Sequence, residues 1–202
     1  RRISSAASDV YKRQEQYHAV LDIQPEDLAA VDALVSMHRD AQQWAELVDI
    51  LSRKASLHEP VDEKKALLIE AGSIAAQQMG DAGEAIRAYE RVLDLDPSEM
   101  IALNALSLHY EETEAWDELV RILDQKISLV EDLDERKVLA REVASVQEFA
   151  LEDIDAAIDT HRRILGWDSE DLDELAALEE LLNKSERWSE IIDILDQQIG
   201  LV

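Results

Sequence analysis

Shifted by 72 positions, the chain falls on itself without a gap. Trp44, Trp116 and Trp188 coincide, as do Glu46, Glu118 and Glu190, and then Ile50-Leu51, Ile122-Leu123 and Ile194-Leu195. Between residues 21–92 and 93–164, 26 of 72 positions are identical, far beyond chance. A repeated unit of this kind buries its apolar side only against its neighbours. The period therefore confines the chain to architectures that grow by stacking copies.

Each 72-residue unit contains two helical hairpins. Trp44, Leu47, Val48, Leu51 and Ala55 lie at i, i+3, i+4, i+7 and i+11, one face of a helix. The segment before them, about 26–39, spaces Leu28, Val31, Leu34 and Val35 in the same way. In the second hairpin a helix from about 62 to 79 precedes the stripe Ala85, Ile86, Tyr89, Val92 and Leu93. Gly80-Asp81 breaks the chain between those helices, and Pro25 and Pro97 stop the helices before them. Composition agrees, because one Phe, four Tyr and four Trp are few for a strand-rich chain. The recurring Trp residues are expected in the core near the turn.

The run from Gly80 to Pro97 resembles the second half of a tetratricopeptide repeat. That family has a Gly-Asp turn, a small residue where two helix backbones approach, an aromatic four positions later and a closing proline. Gly80-Asp81, Ala85, Tyr89 and Pro97 match those places. Other copies depart from the pattern. Ala157 and Ile158 are kept, but His161 replaces the aromatic and Ser169 the proline, and Leu47, Leu119 and Ile191 stand where the family has Ala. The resemblance covers residues 15–202. It implies an all-α fold, a right-handed α-solenoid of about five antiparallel hairpins. These are expected at 26–59, 60–97, 98–131, 132–168 and 169–202, with 15–25 closing a truncated one. Hairpins of 39 residues should alternate with 33, the extra length falling in the second helices of the Trp-bearing hairpins.

Residues 1–14 read as a leader. They carry Arg1, Arg2, Lys12 and Arg13 against a single acid, Asp9, in a chain of net charge −26. The stretch Ser4 to Gln14 resembles translated adapter sequence, with a natural basic arm as the rival reading. The chain as a whole reads as a fragment of a longer array, whose uncovered ends would drive end-to-end self-association.

Chemistry is sparse. Cysteine is absent, so disulfides and thiolate metal sites are excluded. No His pair has zinc-protease spacing, no glycine loop cradles phosphate, and no nucleophile has a base spaced to activate it. Neither a catalytic site, a metal site nor a cofactor is expected. His161 sits on a packing stripe, and His38 and His109 read as surface partners of neighbouring acids. Trp167, outside the periodic set, is either a contact residue or a buried spacer between hairpins. The −26 charge repels phosphate backbones, which argues against nucleic acid. With no apolar run above four residues, membrane insertion is not expected. No secretion leader is visible, which favours the cytoplasm.

The resemblance also implies where a protein partner would lie, since first helices of successive hairpins line a groove in this family. Its positions correspond to Asp32, Ser36, Arg39, Glu70, Gln77, Asn104, Leu108, Glu111, Glu142, Val146 and Phe149. The lining is acidic with apolar patches. Glu70, Glu111 and Glu142 oppose the basic clamp by which chaperone-binding members hold a carboxylate, and only Asn104 fits it. The expected role is a protein–protein interaction scaffold binding a basic or amphipathic segment. The alternative is a structural spacer within a larger protein, with no private ligand.

Overall fold

The computed structural model describes residues 5–201, in which helices are joined by short turns and no strand occurs. Two compact units divide inside one helix, the first ending at His109 and the second beginning at Tyr110. In the first lie α1 (Ser5–Ile23), α2 (Leu28–Asp40), α3 (Trp44–Leu57), α4 (Val61–Ile74) and α5 (Ala82–Leu95). Helix α6 (Met100–Glu112) carries the boundary. The second unit continues with α7 (Trp116–Leu129), α8 (Leu133–Ser145), α9 (Ile154–Trp167), α10 (Leu172–Lys184) and α11 (Trp188–Leu201). Of the leader expected over 1–14, residues 1–4 lie outside the described residues, and α1 runs unbroken through Glu15. Among the described residues no helix is long and apolar enough to cross a membrane.

Within the first unit each helix packs on the next from α1 to α5; within the second the same holds from α7 to α11. Short turns make successive helices antiparallel. Leu47, Leu51, Leu119 and Leu123 are fully or almost fully buried, and so are the small contact residues Ala85 and Ala157. The stripes read from the sequence thus form the cores.

The alternation of hairpin length is real, but its source differs from the expectation. First helices start at Leu28, Val61, Met100, Leu133 and Leu172, which spaces them by 33 and 39 residues in turn. Every second helix, from α3 to α11, has 14 residues. The extra residues sit in the first helices of the hairpins that lack the recurring Trp. There α4 and α8 run into five-residue π-helical turns, Ala75–Met79 and Val146–Ala150. A π turn closes its hydrogen bonds over five residues, as between the Leu151 N–H and the Val146 carbonyl at 3.0 Å. Apolar periodicity carries no mark of that wider turn.

The Trp expectation is also corrected. Trp44 and Trp116 are half-buried, and Trp188 is 60% exposed. Each is the first residue of its helix. Cα–Cβ bonds tilt toward a helix's N-terminus, so a side chain at that position leans off the end of the packed face. His38 and His109 were expected at the surface and are buried instead. Gln43 Oε1 lies 2.9 Å from His38 Nδ1 and accepts from Gln14 Nε2 at 2.6 Å, while the His109 ring stacks on Tyr89 with centroids 6.3 Å apart. Trp167 is half-buried between two guanidinium groups, Arg136 at 5.5 Å and Arg163 at 5.7 Å from its ring centroid.

Two local features generate measurable outcomes. In α4, a Cβ on Gly72 would stand 2.9 Å from the Tyr89 ring. In the second unit the matching residues are Ala144 and His161. Gly72→Ala should therefore cost about 1–2 kcal/mol, overpacking outweighing the better helix propensity. In a Tyr89→His background the same change should be neutral or stabilising; denaturant midpoints of the four proteins give the coupling. The second feature is the turn within each hairpin, where one residue has positive φ: Gln42, Gly80, Glu114, Glu152 and Glu186. A left-handed conformation disfavours any side chain with a Cβ. Glu114→Gly and Glu152→Gly should each stabilise the fold by about 0.5–1 kcal/mol in denaturant melts, since only glycine adopts that φ freely.

Candidate functional site

The acid excess is first used locally. Asp27, Asp81, Asp132, Asp153 and Asp171 precede α2, α5, α8, α9 and α10, and each accepts a backbone N–H three residues on. These caps satisfy donors that a helix start leaves open and place negative charge at the positive end of the helix dipole.

A second group of acids meets lysine where one hairpin passes to the next. Lys65 Nζ donates to Asp96 Oδ2 at 2.6 Å and to Glu99 Oε2 at 3.0 Å. One period later Lys137 Nζ lies 2.6 Å from Asp168 Oδ2 and 2.7 Å from Asp171 Oδ2. The hydrogen bond from Lys65, with those from Ser98, holds the Asp96 carboxyl down at about 2. Lys137 likewise lowers Asp168. The sequence carries this cluster as a 72-residue recurrence of Lys and paired acids.

The first-helix faces hold the expected groove positions. In the first unit Asp32, Ser36, Arg39, Gln77, Asn104 and Leu108 are exposed, with Glu70 half-buried. Two of the acids are already matched: Lys54 Nζ reaches Asp32 Oδ1 at 2.7 Å, and Arg39 on α2 pairs with Glu70 on α4. This part of the lining is less negative than its residue types suggest.

In the second unit the balance changes. Val138, Glu142 and Val146 follow one another at i+4 along α8 and into its π turn, so they share a face, and Phe149 follows within that turn. Phe149 is 71% exposed, Val138 58% exposed, and Val146 half-buried. Val138 was not among the expected groove residues. Desolvation pushes the Glu142 carboxyl above the ordinary carboxylate range, nearby Glu111 raises it further, and Lys126 pulls it down. Lys184 Nζ stands 6.0 Å from the Phe149 ring centroid and bonds Glu148 at 2.7 Å. Away from this face, His161 Nδ1 lies 2.7 Å from Glu174 Oε2, and Arg141 also donates to that buried carboxylate.

The hairpin geometry has a counterpart in known proteins. Residues 102–137 match the family model of the tetratricopeptide repeat. That segment of the chain is similar to a tetratricopeptide repeat. The match begins within α6 and ends within α8, so it covers a Trp-bearing copy and not the Gly80–Pro97 run that carried the resemblance. Tetratricopeptide repeats generally mediate protein–protein interaction. A crystal structure of MamA protein is 12% identical, over 86% of this chain and 90% of that one, with a TM-score of 0.45. MamA from Desulfovibrio magneticus RS-1, residues 41 to the end, is 14% identical over 94% of each chain, with a TM-score of 0.42. The APC/C hetero-tetramer Cut9–Hcn1 contains a chain 13% identical, covering 96% of this chain and 37% of that one, with a TM-score of 0.38. Among curated proteins none matches the chain.

The junction around Lys65 sets a pH dependence. Asp96 has a folded-state value of about 2, below the roughly 3.9 of an unfolded aspartate. Its contribution is therefore complete above about pH 4 and disappears as pH falls toward 2. Asp96→Asn should lower stability at neutral pH and flatten the acid limb of the stability curve over that interval, measured by urea melts at successive pH values.

Proposed function

We propose that the first-helix faces of this protein bind a basic, amphipathic segment of another protein. The α8 face of the second unit is its most exacting contact. The observation that carries this reading is the exposed apolar surface around Glu142, an acid whose charge is disfavoured chiefly by desolvation, with Lys126 favouring it and Glu111 opposing it. A Lys or Arg placed there offsets the repulsion between Glu142 and Glu111, while apolar side chains cover Val138 and Phe149. Cation and apolar surface are thus called for within two helical turns of one another. In the first unit the paired Asp32 and Glu70 leave less charge to offer, and Asn104 and Leu108 suit neutral polar and apolar contacts.

Anisotropy titration with a labelled Lys/Arg-rich amphipathic peptide, against an acidic peptide of equal length, tests the proposal. The basic peptide should bind more tightly, and its affinity should fall with salt. Glu142→Lys with Phe149→Ser should weaken it at least tenfold. Both residues are exposed, so helicity should be unchanged. Because a bound cation favours the ionised form of Glu142, binding should also weaken as pH falls and that carboxyl takes up its proton. Equal affinity for the two peptides, or affinity retained in the double variant, would remove the face from consideration. Absence of saturable binding to either is what a spacer with no private ligand predicts.

A further inference from the structure

Trp167 has no aromatic counterpart one period earlier, and a cleft stands there instead. In the second unit its ring lies between the guanidinium groups of Arg136 on α8 and Arg163 on α9. Arg163 also bonds Asp124 of α7 at 2.8 Å. The residues 72 positions before these four are Leu95, Lys64, Arg91 and Ser52. Lys64, Arg91 and Leu95 line an open cleft of about 370 Å³ together with Ala55, Leu68 and Asp94, where α3, α4 and α5 meet. The first unit thus keeps the two cations and lacks both the ring between them and the carboxylate that one of them holds. Ala55 adds to the space, since its counterpart is the larger, buried Ile127, while Leu68 reduces it relative to Ala140. Both cations are available. Among the described residues Lys64 forms no ion pair, the acids Asp96 and Glu99 going to Lys65. Arg91 reaches the Ser52 carbonyl at 3.5 Å and, among the described residues, holds no carboxylate.

We infer that this cleft is a binding site for a small planar aromatic carboxylate, an indole with a short acid chain in size. The second unit displays the same chemistry built in, a ring stacked between two cations with a carboxylate on the arginine. In the first unit the ligand brings both groups. Its ring lies against Ala55, Leu68 and Leu95 with Lys64 and Arg91 beside it, and its carboxylate takes Arg91 as Asp124 takes Arg163. The volume falls at the lower end of the range of small-molecule sites, roughly 300–1,000 Å³. The occupant is a free molecule and not an acidic segment of a protein. One carboxylate is matched by Arg91, whereas each further acid in such a segment meets the field of a chain of net charge −26. Asp94, an exposed acid at the same cleft, opposes the ligand; its counterpart is Gly166. None of the first-helix groove positions lines this cleft.

The probe is indole-3-propionate, titrated by isothermal calorimetry against the whole chain. Saturable binding is expected, with tryptamine, which has the ring and a positive charge, binding more weakly. Arg91→Gln should weaken it roughly tenfold, the loss expected for a hydrogen bond to a charged group. Asp94→Asn should tighten it. Leu95→Trp should abolish it by filling the cleft as Trp167 does, and Ala55→Ile tests the same point from the other wall. Circular dichroism should show these variants folded, and Glu142→Lys, in the second unit, should leave the affinity unchanged. Lack of saturable binding, equal affinity for tryptamine, or binding undiminished by Leu95→Trp overturns the inference. So does an acidic tryptophan-containing peptide that binds through Arg91 more tightly than indole-3-propionate, which would make the occupant a protein segment.

Discussion

A second helix in this protein has more apolar surface than its own hairpin can cover, and the rest of the structure follows from that. Leu47 and Leu51 in α3, or Leu119 and Leu123 in α7, reach essentially zero exposure only with helices on both sides. The first helix of the following hairpin supplies the missing cover. Each hairpin is thereby obliged to its neighbour, which is why the sequence repeats and the apolar stripes recur in register. The close approach this requires is met by small residues, Ala85 and Ala157 in the second helices and Gly72 in α4. Tyr89 packs over Gly72, and one period later the matching positions hold His161 and Ala144.

Electrostatics is layered onto that scaffold and not spread evenly over it. Part of the acid excess caps helices, part closes hairpin junctions around Lys65 and Lys137, and part pairs across first helices, as Glu70 does with Arg39. At Glu142 desolvation raises the carboxyl, with Lys126 lowering it and Glu111 raising it further. A net charge of −26 therefore says little about any single face. The second unit's α8 face differs from the first unit's faces because its acid is perturbed by desolvation and its apolar residues Val138 and Phe149 stand in the open.

Several misreadings share a physical cause. Periodicity reports which residues fall on one helical face, and it does so irrespective of where the helix begins. Trp44 and Trp188 belong to their stripes, yet as first residues they overhang the packed surface. The π turns after α4 and α8 add length that the stripe does not register, so the longer hairpins were assigned to the wrong copies. His38 and His109 have acidic sequence neighbours, while their spatial neighbours are Gln14, Gln43 and Tyr89. The candidate groove positions fall on the first helices and the π turns that follow them. Val138 was not legible among them, because nothing in one sequence distinguishes an exposed apolar residue from a buried one four positions away.

The sequence by itself determined the helices, their pairing into hairpins and the 72-residue period, because those depend on spacing, turn residues and self-similarity along one chain. It also determined which positions would be small. Tertiary structure alone decided which charges are neutralised, which of several equivalent stripes stay open and how a carboxyl such as Glu142 is perturbed. Those properties depend on distances between residues thirty or more positions apart, as in Lys65 with Asp96 or Arg141 with Glu174. Coulombic and desolvation effects act through space, and only the packed helices fix the space.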